Sequence, residues 1–296
     1  MNGNTNFRGI FAALVTPYTA EGKIDLIQLK RLVRMLIGQG IDGFYVTGST
    51  AEVFLMDEAE RFAVLDAVLE ENNGEKAVLS HVGAISTDQA VRYAAYAQRA
   101  GADAVSAISP FYYHFSDEEI ISYYRAIMEE TALPMFVYNF PAFSGFSLSE
   151  EILVRLKGCK NLRGVKFTSS DMFLLERIKT NNPELVVLNG YDEMLTAGLA
   201  MGADGGVGST YNCMAPLIRR IYDCAAAGRF EEARACQQRA NAIISCMCRH
   251  GVFASVKALL ELQGLSFGGC RRPFAPLTDD ARQELFAVYR RYMEQE

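Results

Sequence analysis

The stretch Met135–Ser169, MFVYNFPAFSGFSLSEEILVRLKGCKNLRGVKFTS, decides the fold. It opens with the apolar run Met135–Tyr138 and closes with a second, Leu162–Phe167. Strands buried on both faces of a parallel sheet read as near-continuous apolar runs of this kind. Between the two, Ser147-x-x-Glu150 resembles a capping box, in which side chains satisfy the orphan N–H groups of a first helical turn. Strand, helix and strand over a span of about thirty residues is a βαβ unit with parallel pairing.

Outward from this unit the alternation repeats. Further candidate strands are Ile10–Val15, Gly43–Thr47, Ala77–Val82, Ala104–Ile108, Val186–Asn189 and Gly205–Val207. Leu29, Leu32, Val33, Leu36 and Ile37 share one face of a helical period. Asp57-x-x-Glu60, Ser86-x-x-Gln89 and Ser116-x-x-Glu119 mark further helix starts, and the glycines of Gly38-Gln39-Gly40 and Ala100-Gly101-Ala102 mark helix ends. Eight such units before about residue 215 suit a closed barrel. An open doubly wound sheet more typically carries G-x-G-x-x-G after its first strand, where Thr16-Pro17-Tyr18 stands here. The expected fold is an α/β protein of the (β/α)8 TIM-barrel type with additional C-terminal helices. Residues 8–215 supply the barrel, and 216–296 a closing helix and a helical extension interrupted by the loop Gly264–Pro276. No linker divides residues 1–296 into two domains.

Composition excludes several classes of function. A net charge of −6 offers no footprint for nucleic acid. No run approaches ~18 uninterrupted apolar residues, and Met1–Arg8 lacks the apolar core of a signal peptide, so no membrane partner and a cytoplasmic location are expected. The seven cysteines are odd in number and contain no C-x-x-C pair, which fits reduced thiols packed as small hydrophobes. His81, His114 and His250 show no metal-ligand spacing, so neither a metal nor a cofactor is expected.

In this architecture chemistry sits at the C-terminal ends of the strands. Of the eight lysines, seven read as turn, helix-surface or strand-start residues, and only Lys166 ends an apolar strand. A desolvated amine there has the lowered pKa that a Schiff-base nucleophile needs, whereas a side chain snorkelling to solvent does not. Tyr138 ends the neighbouring strand, where its hydroxyl is placed to relay protons; a tyrosine in a core with a satisfied hydroxyl reads the same way. The Gly48-Ser49-Thr50 turn offers hydroxyls and N–H groups to a carboxylate, or is an ordinary turn before a helix. Asp192 and Glu193 suit polyol hydroxyls or cap the following helix.

Together these positions resemble the dihydrodipicolinate synthase / N-acetylneuraminate lyase family, and within it the sialic acid lyases. The resemblance runs from Gly9–Pro17 to Arg272-Pro273-Phe274 and is most specific in Tyr138–Gly145 (YNFPAFSG), Gly164–Ser169 (GVKFTS) and Asn189–Asn212 (NGYDEMLTAGLAMGADGGVGSTYN). It implies that Lys166 forms the imine with a 2-keto acid, that Tyr138 handles the proton, and that Ser49 and Thr50 hold the keto-acid carboxylate. It further implies that Thr168, Gly190, Asp192, Glu193 and Ser209 line the sugar pocket. Tyr112 then reaches into a neighbouring subunit's site within a homotetramer. The implied reaction is reversible cleavage of N-acetylneuraminate to N-acetylmannosamine and pyruvate. Two positions depart from the family pattern. Ala51 replaces a glycine, so a different turn backbone is expected, since alanine tolerates positive φ less well. Phe143 stands where synthases carry arginine and lyases usually leucine, which argues against the synthase and reshapes the sugar pocket. The competing readings are another pyruvate-dependent aldolase, a catalytically silent ligand-binding member of the family, and a pyridoxal-phosphate enzyme with Gly205–Ser209 as its phosphate cradle.

Overall fold

A computed structural model describes residues 6–293, so expectations resting on Met1–Thr5 lie outside the described residues. Eight strands close into one all-parallel barrel in sequence order: β1 (Gly9–Ala13), β2 (Gly43–Val46), β3 (Ala77–His81), β4 (Ala104–Ile108), β5 (Met135–Asn139), β6 (Leu162–Phe167), β7 (Val186–Asn189) and β8 (Gly205–Gly208). Alternate residues of each strand divide between two cores, as the two-residue period demands. Phe11, Tyr45, Leu79, Phe136, Tyr138 and Leu188 fill the barrel. Ile10, Phe44, Val78, Val105, Val137 and Val165 face outward into the layer of helices.

The helices form where the apolar stripe and the caps place them. In α1 (Leu26–Gly38) the Asp25 carboxylate accepts from the N–H groups of Ile27 and Gln28, and Leu29, Leu32, Val33 and Leu36 are buried. Each such side chain contributes about 1.5–3 kcal/mol on leaving water. Asp57 and Ser116 complete capping boxes at the starts of α2 (Glu58–Asn72) and α4 (Asp117–Glu130). Between them, Ser86 precedes α3 (Thr87–Ala100) without a side-chain cap bond.

Ser147 is a correction. After the short α5 (Pro141–Ser144) the chain runs extended, with Phe146 and Leu148 buried and the Leu148 N–H held by Asn139 Oδ1 at 2.9 Å. Helix α6 (Glu150–Leu156) therefore begins later, and its cap is Ser149, whose side chain accepts from the Ile152 N–H. Next come α7 (Met172–Asn181), α8 (Leu195–Ala200) and the closing helix α9 (Tyr211–Ala226), which starts directly after the β8 loop and ahead of residue 216. The extension comprises α10 (Phe230–His250), α11 (Val252–Leu262) and α12 (Asp279–Met293). Among the described residues no single helix is long and apolar enough to cross a membrane; α10 and α11 pass that test only when joined across a 120° bend.

Barrel closure rests on a close approach. A Cβ at Gly205 would collide with the backbone of Gly9 on the adjacent strand, so only glycine fits between β8 and β1. At Gly38, the last residue of α1, a Cβ would meet nothing within 4 Å. Gly205→Ala is expected to cost about 3 kcal/mol or more through overpacking. Gly38→Ala should be neutral or slightly stabilising, because alanine favours the helix by up to about 1 kcal/mol. Thermal melting of the two variants checks the contrast, and equal melting temperatures would contradict it.

Candidate active site

Strand register brings the two central side chains together. Tyr138 on β5 lies opposite Lys166 on β6, and both point into the barrel at its C-terminal mouth. Lys166 is 5% exposed. Its Nζ sits 3.9 Å from the centroid of the Tyr45 ring and 4.0 Å from that of Tyr138. Burial lowers its pKa to about 7, while the Asp192 carboxylate pulls the other way. Of the two alternatives for this lysine, the structure adopts the desolvated amine. Burial likewise pushes the Tyr138 phenol up, partly offset by the neighbouring hydroxyls of Ser49 and Thr168. The phenol therefore holds its proton at neutral pH.

These groups line a cavity of about 580 Å³ that also takes in Ser49, Thr50, Thr168, Gly190, Asp192, Glu193 and Ser209. Thr50 Oγ1 and Ser209 Oγ lie 2.6 Å apart, linking the β2 and β8 loops. Asp192 is buried and does not cap a helix with its side chain. Its Oδ2 accepts instead from the N–H and hydroxyl of Thr210, at 2.8 and 2.6 Å. Burial raises its pKa to about 6 against the pull of those two bonds. Thr168 Oγ1 is buried close to the Tyr138 phenol, without a hydrogen bond of regular geometry among the described residues. A Cβ at Gly190 would run into that hydroxyl, so glycine leaves it room.

The turn's backbone shows how Ala51 is accommodated. Ala51 lies in the short 3-10 turn Ser49–Ala51 and has no positive φ. The left-handed residues are Thr47 (φ 55°) and Glu52 (φ 60°), which bracket the turn. A β-branched residue at positive φ is strained, and its surroundings must fix it. Here Thr47 Oγ1 donates to the His81 carbonyl and His81 Nδ1 bonds the Thr47 carbonyl, both at 3.0 Å.

The dihydrodipicolinate synthetase family model matches residues 6–291. The chain belongs to that family. It is 47% identical over 267 residues to a protein of Rhizobium meliloti (strain 1021) named N-acetylneuraminate lyase, covering 90% of this chain and 89% of that one. It superposes with TM-score 0.94 and 32% identity on CdNal from Clostridium difficile in complex with mannosamine, covering 97% of this chain and 100% of the other. N-acetylneuraminate lyase from Fusobacterium nucleatum complexed with pyruvate gives TM-score 0.92 at 31% identity, with 97% of each chain covered.

One residue carried over from the family resemblance stands apart. Tyr112 is 83% exposed at φ 79° and does not line the cavity of its own chain. Phe111 instead turns inward, its ring 4.6 Å from that of Phe54. The sequence reading missed several residues in and beneath the cavity. Tyr45 and His81 are buried beneath the mouth, and Cys248, His250 and Phe253 come from the junction of α10 and α11. The signal for Tyr45 was its inward position two residues after Gly43; the junction had none, because only tertiary packing brings it to the mouth. Cys248 is exposed, contrary to the general expectation of buried thiols. Cys246, His250 and Glu284 bring ligand-type atoms within 4.8 Å of one another, a grouping the histidine spacing did not suggest. The Glu284 carboxylate is taken up there by His250 Nε2 at 2.8 Å and by the Arg249 guanidinium, forming an ion-pair cluster.

A family member with a neutral buried amine should form an imine near neutral pH. A lowered lysine pKa means the reactive free base is half populated at about pH 7 and is lost as pH falls below it. Borohydride trapping of pyruvate should therefore increase through pH 7 and level off above. Asp192→Asn removes the carboxylate that raises the lysine pKa, so the midpoint should shift downward. A midpoint near the ordinary lysine value of about 10.4 would contradict the desolvated amine.

Proposed function

We propose that this chain is a class I aldolase that reversibly cleaves N-acetylneuraminate to N-acetylmannosamine and pyruvate, with Lys166 as the imine-forming residue. The observation that carries the reading is the dry amine of Lys166 packed against the Tyr138 ring inside the shared cavity. Pyruvate and mannosamine, bound respectively by the Fusobacterium and Clostridium relatives, match the product and the parent amino sugar of the other half.

The residues then divide the work. The Ser49 and Thr50 hydroxyls and the backbone N–H groups of their turn receive the keto-acid carboxylate. Lys166 Nζ attacks the C2 carbonyl, and loss of water from the carbinolamine gives the iminium. Tyr138 relays the proton between the carbinolamine oxygen and the C4 hydroxyl, so that loss of the hydroxyl proton accompanies breakage of the C3–C4 bond. The electron pair of that bond passes into the iminium and leaves an enamine. Protonation at C3 and hydrolysis release pyruvate. Thr168, Gly190, Asp192, Glu193 and Ser209 hold the sugar portion.

No arginine is found among the described residues that line the cavity. Phe143, 63% exposed, packs on Phe140 with ring centroids 4.3 Å apart and lines the mouth. A second carboxylate, such as that of aspartate semialdehyde, would thus find no guanidinium. Pyruvate release from N-acetylneuraminate is expected in a coupled assay, with no condensation of pyruvate and aspartate semialdehyde. The reverse pattern would assign the chain to synthase chemistry.

The assembly belongs to the same proposal: a cytoplasmic homotetramer in which Tyr112 of one subunit completes the proton relay around Tyr138 of its neighbour. Its support is the exposed tyrosine pair, Tyr112 and Tyr113, at the β4 end beside a cavity that lacks Tyr112. Lys166→Ala and Tyr112→Phe subunits, each inactive alone, should regain activity when mixed under exchange. Mixed oligomers that form without activity would place Tyr112 outside the relay.

A further inference from the structure

Lys257 was read as a helix-surface lysine, and the structure overturns that. It lies on α11 with its side chain 1% exposed, and its Nζ meets Glu52 Oε1 at 2.6 Å, where the glutamate side chain is 0% exposed. Nothing in the proposed reaction uses either charge. Burying an ion pair costs several kcal/mol of desolvation per ion, so such a pair is weak evidence for stability and asks for another role.

The contacts of the pair point to one. Glu52 is the left-handed residue that ends the Ser49–Ala51 turn, and its Oε2 accepts from the Arg271 N–H at 2.6 Å. Lys257 Nζ also donates to the Gly269 carbonyl at 2.6 Å and sits 4.4 Å from the Tyr18 ring centroid. Arg271 bonds the Leu55 carbonyl at 2.7 Å and pairs with Glu60. Each carboxylate oxygen of Glu52 is therefore fixed from the C-terminal extension, at a residue whose backbone costs on the order of 1–2 kcal/mol relative to the right-handed form. The opposite end of the turn is fixed by Thr47 and His81. Ser49 and Thr50 lie between these two clamped, strained residues.

We propose that Glu52 and Lys257 are positioning residues: their ion pair holds the left-handed backbone at Glu52 and so sets the hydroxyls and N–H groups of Ser49 and Thr50 to receive the keto-acid carboxylate. This rests on the reading that the turn binds that carboxylate. The pair touches no reacting atom, so its loss weakens capture of the keto acid and leaves the bond-breaking step largely intact. It also gives the C-terminal extension a part in substrate binding.

The test uses two variants of the full chain. Glu52→Gln combined with Lys257→Met removes both charges at similar volume and leaves no unpaired buried ion. Glu52→Asp keeps the pair but shortens the side chain by one methylene, which draws the turn toward α11. Each is assayed by thermal melting, by borohydride trapping against pyruvate concentration, and by steady-state cleavage. Half-saturating pyruvate and KM should rise about tenfold, with kcat within about threefold of the parent. Unchanged half-saturation in either variant, cooperatively folded, would overturn the proposal, as would a fall in kcat at unchanged KM. Should the double variant fail to fold, Glu52→Asp decides alone. Failure of the underlying reading is separately visible, as absence of a pyruvate adduct on Lys166 in the parent protein.

Discussion

Water is kept from one amine, and the rest of the site is arranged around that exclusion. The Lys166 ammonium would lose its hydration on entering the barrel mouth, and the aromatic faces of Tyr45 and Tyr138 return only part of it. The protein resolves this by shifting the amine toward its neutral form near pH 7. Closing the sheet into a barrel makes such a site available, because an inward residue at a strand end is surrounded by other strands. The close pass of Gly205 over Gly9 and the aromatic filling by Phe11 and Phe136 belong to the same constraint.

Three cross-ties hold the mouth in shape. Thr50 bonds Ser209 between the β2 and β8 loops, Asp192 bonds Thr210 between the β7 and β8 loops, and Glu52 meets Lys257 between the β2 loop and α11. Two of the three join segments more than 150 positions apart, and each uses a polar group that burial makes costly to leave unpaired. Asp192 illustrates the consequence. Its carboxylate both supports the β8 loop and faces the cavity, so its loss should disturb loop placement together with sugar binding.

The strands were legible because both faces of a parallel barrel strand are apolar, leaving a run that surface strands do not show. Lys166 was legible because it ends such a run. Lys257 was not: its partner lies 205 positions earlier, and a lysine inside Val252–Leu262 looks like the polar face of a short helix. Glu52 was hidden for the same reason, its role being visible only with Lys257 and Arg271 in place. Ser147 was misplaced because the capping box was read two residues ahead of the observed cap, Ser149, inside a segment anchored by Asn139. Tyr112 could be read only from family resemblance, since its own barrel gives it nothing to do.

The proposed chemistry also explains why the carboxylate end of the cavity contains hydroxyls and backbone dipoles but no arginine. A fixed cation there would bind the keto acid equally well before and after imine formation, and uniform binding of that kind does not speed the bond-breaking step. With an amine only half protonated near pH 7, the empty site holds part of the positive charge that the iminium carries in full, next to the substrate's carboxylate and facing Asp192. Electrostatic attraction then strengthens as the reaction requires it, in surroundings too dry to screen it. This division places demands on geometry, because hydroxyls and N–H groups act only at short range. A turn clamped at both ends by buried polar contacts meets that demand where a flexible loop would not.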